Sequence, residues 1–207
     1  MRLFLVRHGE TELNKRGCYY GRTDCLLTSE GIRQGQVLKT LLEDARFDRV
    51  ITSPLKRAVR TAGIIVPECG EGLIYDKRLA EQDFGIFEEK TYKQISAAYP
   101  DELRFWNQDY RGYRIPEGES FLDVRQRVED FCQELWAMEG KTLLVAHKGT
   151  LGHMLACLLG LGPQGYWNFV FDQGCYSLLD LEDDFAIIRK LNTAEKYTED
   201  RKNHGFV

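Results

Sequence analysis

This 207-residue chain predicts an α/β three-layer sandwich, with a mainly parallel central sheet and a small helical insertion over the active site. Three observations carry that expectation. Apolar runs of strand length recur at Leu3–Val6 and Thr142–Ala146, each ending in a histidine-bearing turn, and such runs read as buried strands. Segments of helical periodicity stand between the strand-like runs, and strands that alternate with helices build parallel sheets. Glycine and proline punctuate the periodic segments, as in Gly160-Leu161-Gly162-Pro163.

Strand one is read at Arg2–Val6, followed by a polar, glycine-containing loop from Gly9 to Leu27. The next helix runs from about Thr28 to Glu43, with Ile32, Leu38, Leu41 and Leu42 near one face. Strand two covers Asp48–Thr52. Ser53-Pro54 then reads as a helix start, with serine as N-cap and proline at the first helical position. That helix reaches about Val66 and carries Arg57 in its first turn. Leu73–Tyr75 is a third strand leading into Leu79–Gly85. Residues 88–116 turn aromatic and polar, with Tyr92, Tyr99, Phe105, Trp106, Tyr110 and Tyr113, and read as a helical insertion within one domain spanning 1–207. From Glu119 to Met138 the spacing of Phe121, Val124, Val128, Phe131 and Leu135 predicts an amphipathic helix. Strand four is Thr142–Ala146, and a helix from about Gly149 to Leu159 follows it. Cys175–Leu181 and Phe185–Leu191 form a closing strand pair, and the polar last dozen residues read as frayed.

Composition narrows the function classes. A formal net charge of −4 argues against a nucleic-acid binder, which carries a basic face. No apolar stretch approaches the roughly 20 residues of a membrane span. Met1-Arg2 leads straight into the first strand without a signal peptide, and the six cysteines lack any Cys-x-x-Cys pair, so reduced thiols in the cytoplasm are expected. Oligomeric state is not encoded in any of these features.

The chemistry concentrates in Arg7-His8-Gly9-Glu10-Thr11 at the end of strand one, where open α/β sheets put their ligand sites. An imidazole beside a guanidinium, next to a glycine that lets backbone approach, suits a phosphate ester. Val145-Ala146-His147-Lys148-Gly149-Thr150 supplies a second histidine in the same kind of place. Arg57 stands at a helix start whose free amides favour anions. Glu81 lies beyond a short strand, where a carboxyl group is able to protonate a leaving oxygen. Taken singly, Arg57 reads as a solvated helix charge, Glu81 as a surface carboxylate and His147 as a satisfied strand-end histidine. No His-x-x-x-His or His-Glu-x-x-His spacing marks a metal site, so no metal or other cofactor is expected. His153, on the helix after His147, reads as packed or exposed, and His204 has no evident partner.

Together these residues make the chain resemble the histidine phosphatase superfamily, also called phosphoglycerate-mutase-like, over nearly its whole length. The resemblance includes Asn14, Tyr20-Gly21-Arg22-Thr23-Asp24, Ser53-Pro54-Leu55-Lys56-Arg57-Ala58, Glu81 with Phe84-Gly85, and Glu117-Gly118-Glu119-Ser120. It implies His8 as nucleophile, Arg7, Arg57 and His147 as phosphoryl-binding groups and Glu81 as general acid. Asn14, Gly21, Arg22 and Thr23 are implied as further substrate contacts. Lys148 departs from the small residue the family more often has there; it adds a phosphate or ribose contact or points to solvent. Tyr166-Trp167 and Asp172 through Ser177 resemble the branch that acts on α-ribazole 5′-phosphate in cobalamin nucleotide-loop assembly. A small-molecule phosphate ester is thus the expected partner. A broad-specificity sugar-phosphate or fructose-2,6-bisphosphate phosphatase, a phosphoglycerate mutase and a non-catalytic binding module are the alternatives. The aromatic insertion is expected either to stack on a base or simply to pack.

Overall fold

The computed structural model describes residues 1–199. Six strands form the central sheet in the spatial order β4 (Leu73–Tyr75), β3 (Arg49–Thr52), β6 (Lys141–Ala146), β1 (Arg2–Arg7), β7 (Tyr176–Glu182) and β8 (Phe185–Thr193). The first four run parallel, while β7 and β8 add antiparallel to the β1 edge. The mainly parallel sheet and the closing strand pair therefore stand as expected.

Side-chain alternation along β1 assigns the two faces. Leu3 and Leu5 point into a core built with α6 (Phe121–Leu135) and α7 (Lys148–Leu158), where Val128, Phe131, Leu151 and Leu155 are buried. Phe4 and Val6 point the other way, into a core with α2 (Ser29–Leu41) and α3 (Lys56–Ile65) that contains Leu38, Ala58, Ala62 and Ile65. Helices on both faces of one sheet make the three layers. The C-terminal ends of β1 and β6 are hydrogen-bonded neighbours, with Arg7 opposite Ala146. That register brings His8 and His147 side by side.

Three local expectations change. The loop after β1 contains α1 (Glu12–Lys15) and β2 (Cys18–Tyr19), because Thr11 and Asn14 form a reciprocal capping box. The helix expected from Ser53-Pro54 begins at Lys56. Its first free amide, Lys56 N–H, is taken by the Asp24 carboxylate at 2.9 and 3.1 Å, so a distant loop supplies the cap and Ser53 is released for another contact. The polar C-terminal stretch is not frayed where it is described: Tyr197 is buried, its ring 5.1 Å from that of Phe4. Residues 200–207, His204 among them, lie outside the described residues.

The 88–116 segment forms β5 (Lys90–Thr91), α4 (Tyr92–Ala98) and α5 (Pro100–Gln108) around a small core of Phe87, Ile95, Leu103 and Ile115. Tyr99, Trp106 and Tyr113 pack against that core, so these three of its aromatic side chains are structural. Pairing of β5 with β2 ties the segment to the loop that follows β1.

Candidate active site

His8 leaves the end of β1 almost sealed, at 3% exposure. Its Nδ1 lies 2.7 Å from the Gly9 carbonyl oxygen, which can only accept, so Nδ1 carries the proton and Nε2 keeps its lone pair. Burial, and after it the charges of Arg57 and Arg7, push the proton affinity of this imidazole well below the usual histidine value, against a weaker pull from the Gly9 bond. The ring is neutral and basic at one nitrogen.

His147 caps β6, with its ring centroid 5.0 Å from that of His8. Arg57 Nε–H donates to its Nδ1 at 3.3 Å. A guanidinium has only donors, so the His147 proton sits on Nε2, which contacts Ser53 Oγ at 2.8 Å. Burial first, then Arg57 and His8, keep this second ring neutral as well. Arg57 itself is fully buried, held by the Thr23 and Gly21 carbonyl oxygens at 2.9 Å each and lying 4.7 Å over the Tyr20 ring. Arg7 donates from Nη1 to the Phe171 carbonyl at 3.0 Å, while its buried Nε has no hydrogen-bond partner. Among the described residues that guanidinium N–H is unpaired, and a buried N–H of this kind suits an anionic oxygen.

Glu81 faces the same cleft as Arg7, Asn14 and Lys148. Its carboxylate accepts from Gln82 N–H and from Gly149 N–H in the first turn of α7, both at 3.0 Å. A Cβ at Gly149 would stand 2.3 Å from Glu81 Oε1, so the close approach requires glycine there. Behind Glu81 lies Arg127 of α6. It pairs with Glu119 at 2.9 and 3.0 Å and donates to the carbonyls of Arg78, Ala80 and Glu81 at 2.6, 2.7 and 3.1 Å. Arg127 therefore clamps the turn that presents Glu81.

Arg57 and His147 adjoin His8, Arg7 acts on His8 from one side and on Glu81 from the other, and Arg7, Glu81, Asn14 and Lys148 line one cleft. Asn14 Oδ1 accepts from Thr11 and from Gln173 Nε2. Gly21, Arg22 and Thr23 are not on that wall. Their three N–H groups converge on the Glu88 carboxylate at 2.8 to 3.1 Å, and the exposed Arg22 side chain pairs with Asp83. The backbone of this loop serves Arg57 from its carbonyl side. Gly21 permits the packing, since a Cβ there would overlap the Gln82 carbonyl. The aromatic wall of the cleft is Tyr19, Tyr20, Phe84, Tyr166 and Trp167; from the insertion, Trp106 packs edge-on against Tyr19 at 5.5 Å and Tyr110 is hydrogen-bonded to Trp167 at 3.2 Å. Glu88 and Arg127 had no signal in the sequence, and Ser53 was read there as an N-cap, not as a partner of His147. Among the described residues, no group of three His, Cys, Asp or Glu side chains is placed to hold a metal ion, and no helix is long and apolar enough to cross a membrane.

Chemically, two guanidinium groups around a neutral imidazole with a bare nitrogen can receive a phosphate dianion, and a carboxyl group opposite can exchange a proton with it. Comparison with known proteins gives that chemistry its class. The chain belongs to the histidine phosphatase superfamily (branch 1), which it matches over residues 3–194, and it is a phosphoric monoester hydrolase. Among its relatives, the adenosylcobalamin/alpha-ribazole phosphatase of Escherichia coli (strain K12) is 35% identical over 195 residues, covering 93% of this chain and 96% of that protein. Phosphoserine phosphatase 1 of Hydrogenobacter thermophilus is 31% identical over 196 residues, with 93% and 92% covered. The crystal structure of the alpha-ribazole phosphatase from Shigella flexneri superposes with a TM-score of 0.91 at 36% identity, covering 96% of this chain and 100% of that one.

Proposed function

We propose that this chain hydrolyses α-ribazole 5′-phosphate to α-ribazole and inorganic phosphate, a step of cobalamin nucleotide-loop assembly, through a phosphohistidine on His8. The observation that carries the chemistry is the state of His8, neutral, with its proton committed to the Gly9 carbonyl and Nε2 free. The Nε2 lone pair attacks phosphorus while the bond from phosphorus to the 5′-oxygen breaks. Glu81 gives a proton to that leaving oxygen. Arg7 and Arg57 hold the equatorial oxygens, with His147 as a neutral donor, and this charge stabilisation supplies most of the rate. Water then attacks phosphorus, Glu81 takes its proton, and the phosphorus–nitrogen bond breaks to release phosphate and restore His8.

Asn14 and Lys148 complete the contacts on the cleft wall, Gly21 and Thr23 act through Arg57, and Arg22 braces the same loop on Asp83 and Glu88. Similarity to alpha-ribazole phosphatases over more than nine-tenths of the chain supports the substrate. So do the aromatic faces of Tyr19, Phe84, Tyr166 and Trp167, which suit a benzimidazole base. The chain works as one domain, on a small phosphate ester and not on nucleic acid. Its six unpaired cysteines fit the reducing cytoplasm.

The test is kcat/KM for α-ribazole 5′-phosphate beside ribose 5-phosphate, fructose 2,6-bisphosphate, 3-phosphoglycerate and phosphoserine. Two aromatic contacts at about 0.5–1.5 kcal/mol each predict a preference for the benzimidazole ester of roughly tenfold to a hundredfold over ribose 5-phosphate. A flat profile, or a preference for another ester, refutes the substrate and leaves the phosphohistidine chemistry standing.

A further inference from the structure

His153 is a buried ionisable group that the mechanism above does not use. It lies on α7 four residues after Gly149, whose N–H holds Glu81. Residues four apart share a helix face, about 5.4 Å along the axis, and both line the same cleft. The side chain is 1% exposed and is gripped between Phe121 and Tyr166, at centroid distances of 4.3 and 4.8 Å. Its Nδ1 is sealed from water with no hydrogen-bond partner, and Nε2 has none among the described residues. An unpaired buried polar atom is a standing cost that leucine at this position would avoid. Burial, with smaller effects from Arg125 and Arg127, pushes the proton affinity of the ring down to about 3. With Nδ1 sealed, a neutral imidazole presents its other nitrogen to a ligand as donor or as acceptor according to tautomer, and a hydroxyl group, which can do both, suits either.

We propose that His153 is a specificity-determining residue that hydrogen-bonds a ring hydroxyl of the leaving sugar, so that the cleft selects ribose 5-phosphate esters over their deoxy counterparts. With phosphorus at His8 and the leaving oxygen at Glu81, the ribose is the first part of the leaving group to extend along α7. One helical turn is close to the reach from its 5′-oxygen to its ring hydroxyls. Phe121 and Tyr166 fix the plane of the imidazole, so the direction of the bond is set before substrate arrives. The inference rests on the phosphatase reading only in needing a 5-phosphoribosyl substrate; the base plays no part in it.

The experiment compares kcat/KM for methyl ribofuranoside 5-phosphate with its 2-deoxy and 3-deoxy analogues, in wild type, His153→Leu and His153→Gln. In wild type, loss of one of the two hydroxyls lowers kcat/KM by about five- to tenfold, the size of one hydrogen bond to a buried partner. In His153→Leu the ratio falls to near one, and His153→Gln, with an amide donor and acceptor, recovers part of it. Each ratio is taken within one preparation, so partial unfolding of a variant lowers both rates and leaves the ratio alone. A wild type indifferent to both hydroxyls, or a His153→Leu protein that keeps the full preference, overturns the proposal. The outcome is separate from the substrate test: a chain with no preference for the benzimidazole ester still reports the hydroxyl ratio.

Discussion

Replacing Gly149 with alanine isolates the placement of Glu81 from the stability of the fold. Gly149 lies in the first turn of α7 and its backbone is not in the left-handed region, so alanine fits the local conformation and gains helix propensity of up to about 1 kcal/mol. The new Cβ would stand 2.3 Å from Glu81 Oε1. To regain ordinary contact near 3.4 Å, the carboxylate must retreat by about 1 Å and loosen its bond to Gly149 N–H. A misplacement of about 1 Å in a catalytic group costs up to roughly 100-fold, inside the 10²–10⁴-fold range of general acid catalysis. Gly149→Ala is therefore expected to lower kcat for alkyl phosphates by about 30- to 100-fold with an unchanged or slightly raised Tm. For p-nitrophenyl phosphate, whose leaving group hardly needs a proton, the loss stays within a few-fold. Both substrates are assayed on the same preparation. Equal losses for the two, or an unchanged rate with the alkyl ester, refute the reasoning.

Arg127→Met removes the clamp behind Glu81 and strands Glu119, costing about 2–3 kcal/mol in urea melts and lowering the alkyl phosphate rate more than the aryl one. Wild-type stability falls on acidification. In the unfolded chain His153 takes its proton near 6.5, in the folded protein only near 3, so between those values the unfolded state binds more protons. At pH 5 that difference is about 2 kcal/mol from His153 alone, and His153→Leu loses that part of the slope in melts at pH 7.5 and pH 5. His8 and His147 shift in the same direction and add to the acid lability. Because the described residues bring no metal-ligating trio together, turnover is expected to survive EDTA and to be inhibited by orthovanadate; loss on chelation with recovery on adding a divalent ion contradicts the scheme.

Features that depend on neighbours along the chain were legible in the sequence. The apolar run at β1, the periodicity of α6 and the strand–turn–helix around His147 each declare themselves within a window of a few residues, and the two strand ends position Arg7, His8, His147 and Lys148. Features that depend on distant partners were not. Ser53 has every local mark of an N-cap, yet Asp24, 32 residues before Lys56, caps α3, while Ser53 Oγ contacts His147 and accepts from Leu55 N–H. Arg127 sits on the polar face of an amphipathic helix, where periodicity cannot tell a clamp from a solvated charge. Glu88 gathers the N–H groups of Gly21, Arg22 and Thr23 across a gap that no motif spans. The aromatic insertion stayed open between stacking and packing for the same reason: composition records rings, but tertiary packing places Trp106 against the insertion core and Tyr166 in the cleft.

The most direct test of the account is to trap the phosphoryl group. Rapid quench of wild type with ³²P-labelled substrate, followed by peptide mapping, is expected to yield an acid-labile, base-stable phosphoenzyme on His8, while His8→Ala folds with a similar Tm and forms none. Label on any residue other than His8, or turnover near the wild-type rate in His8→Ala, contradicts the central claim.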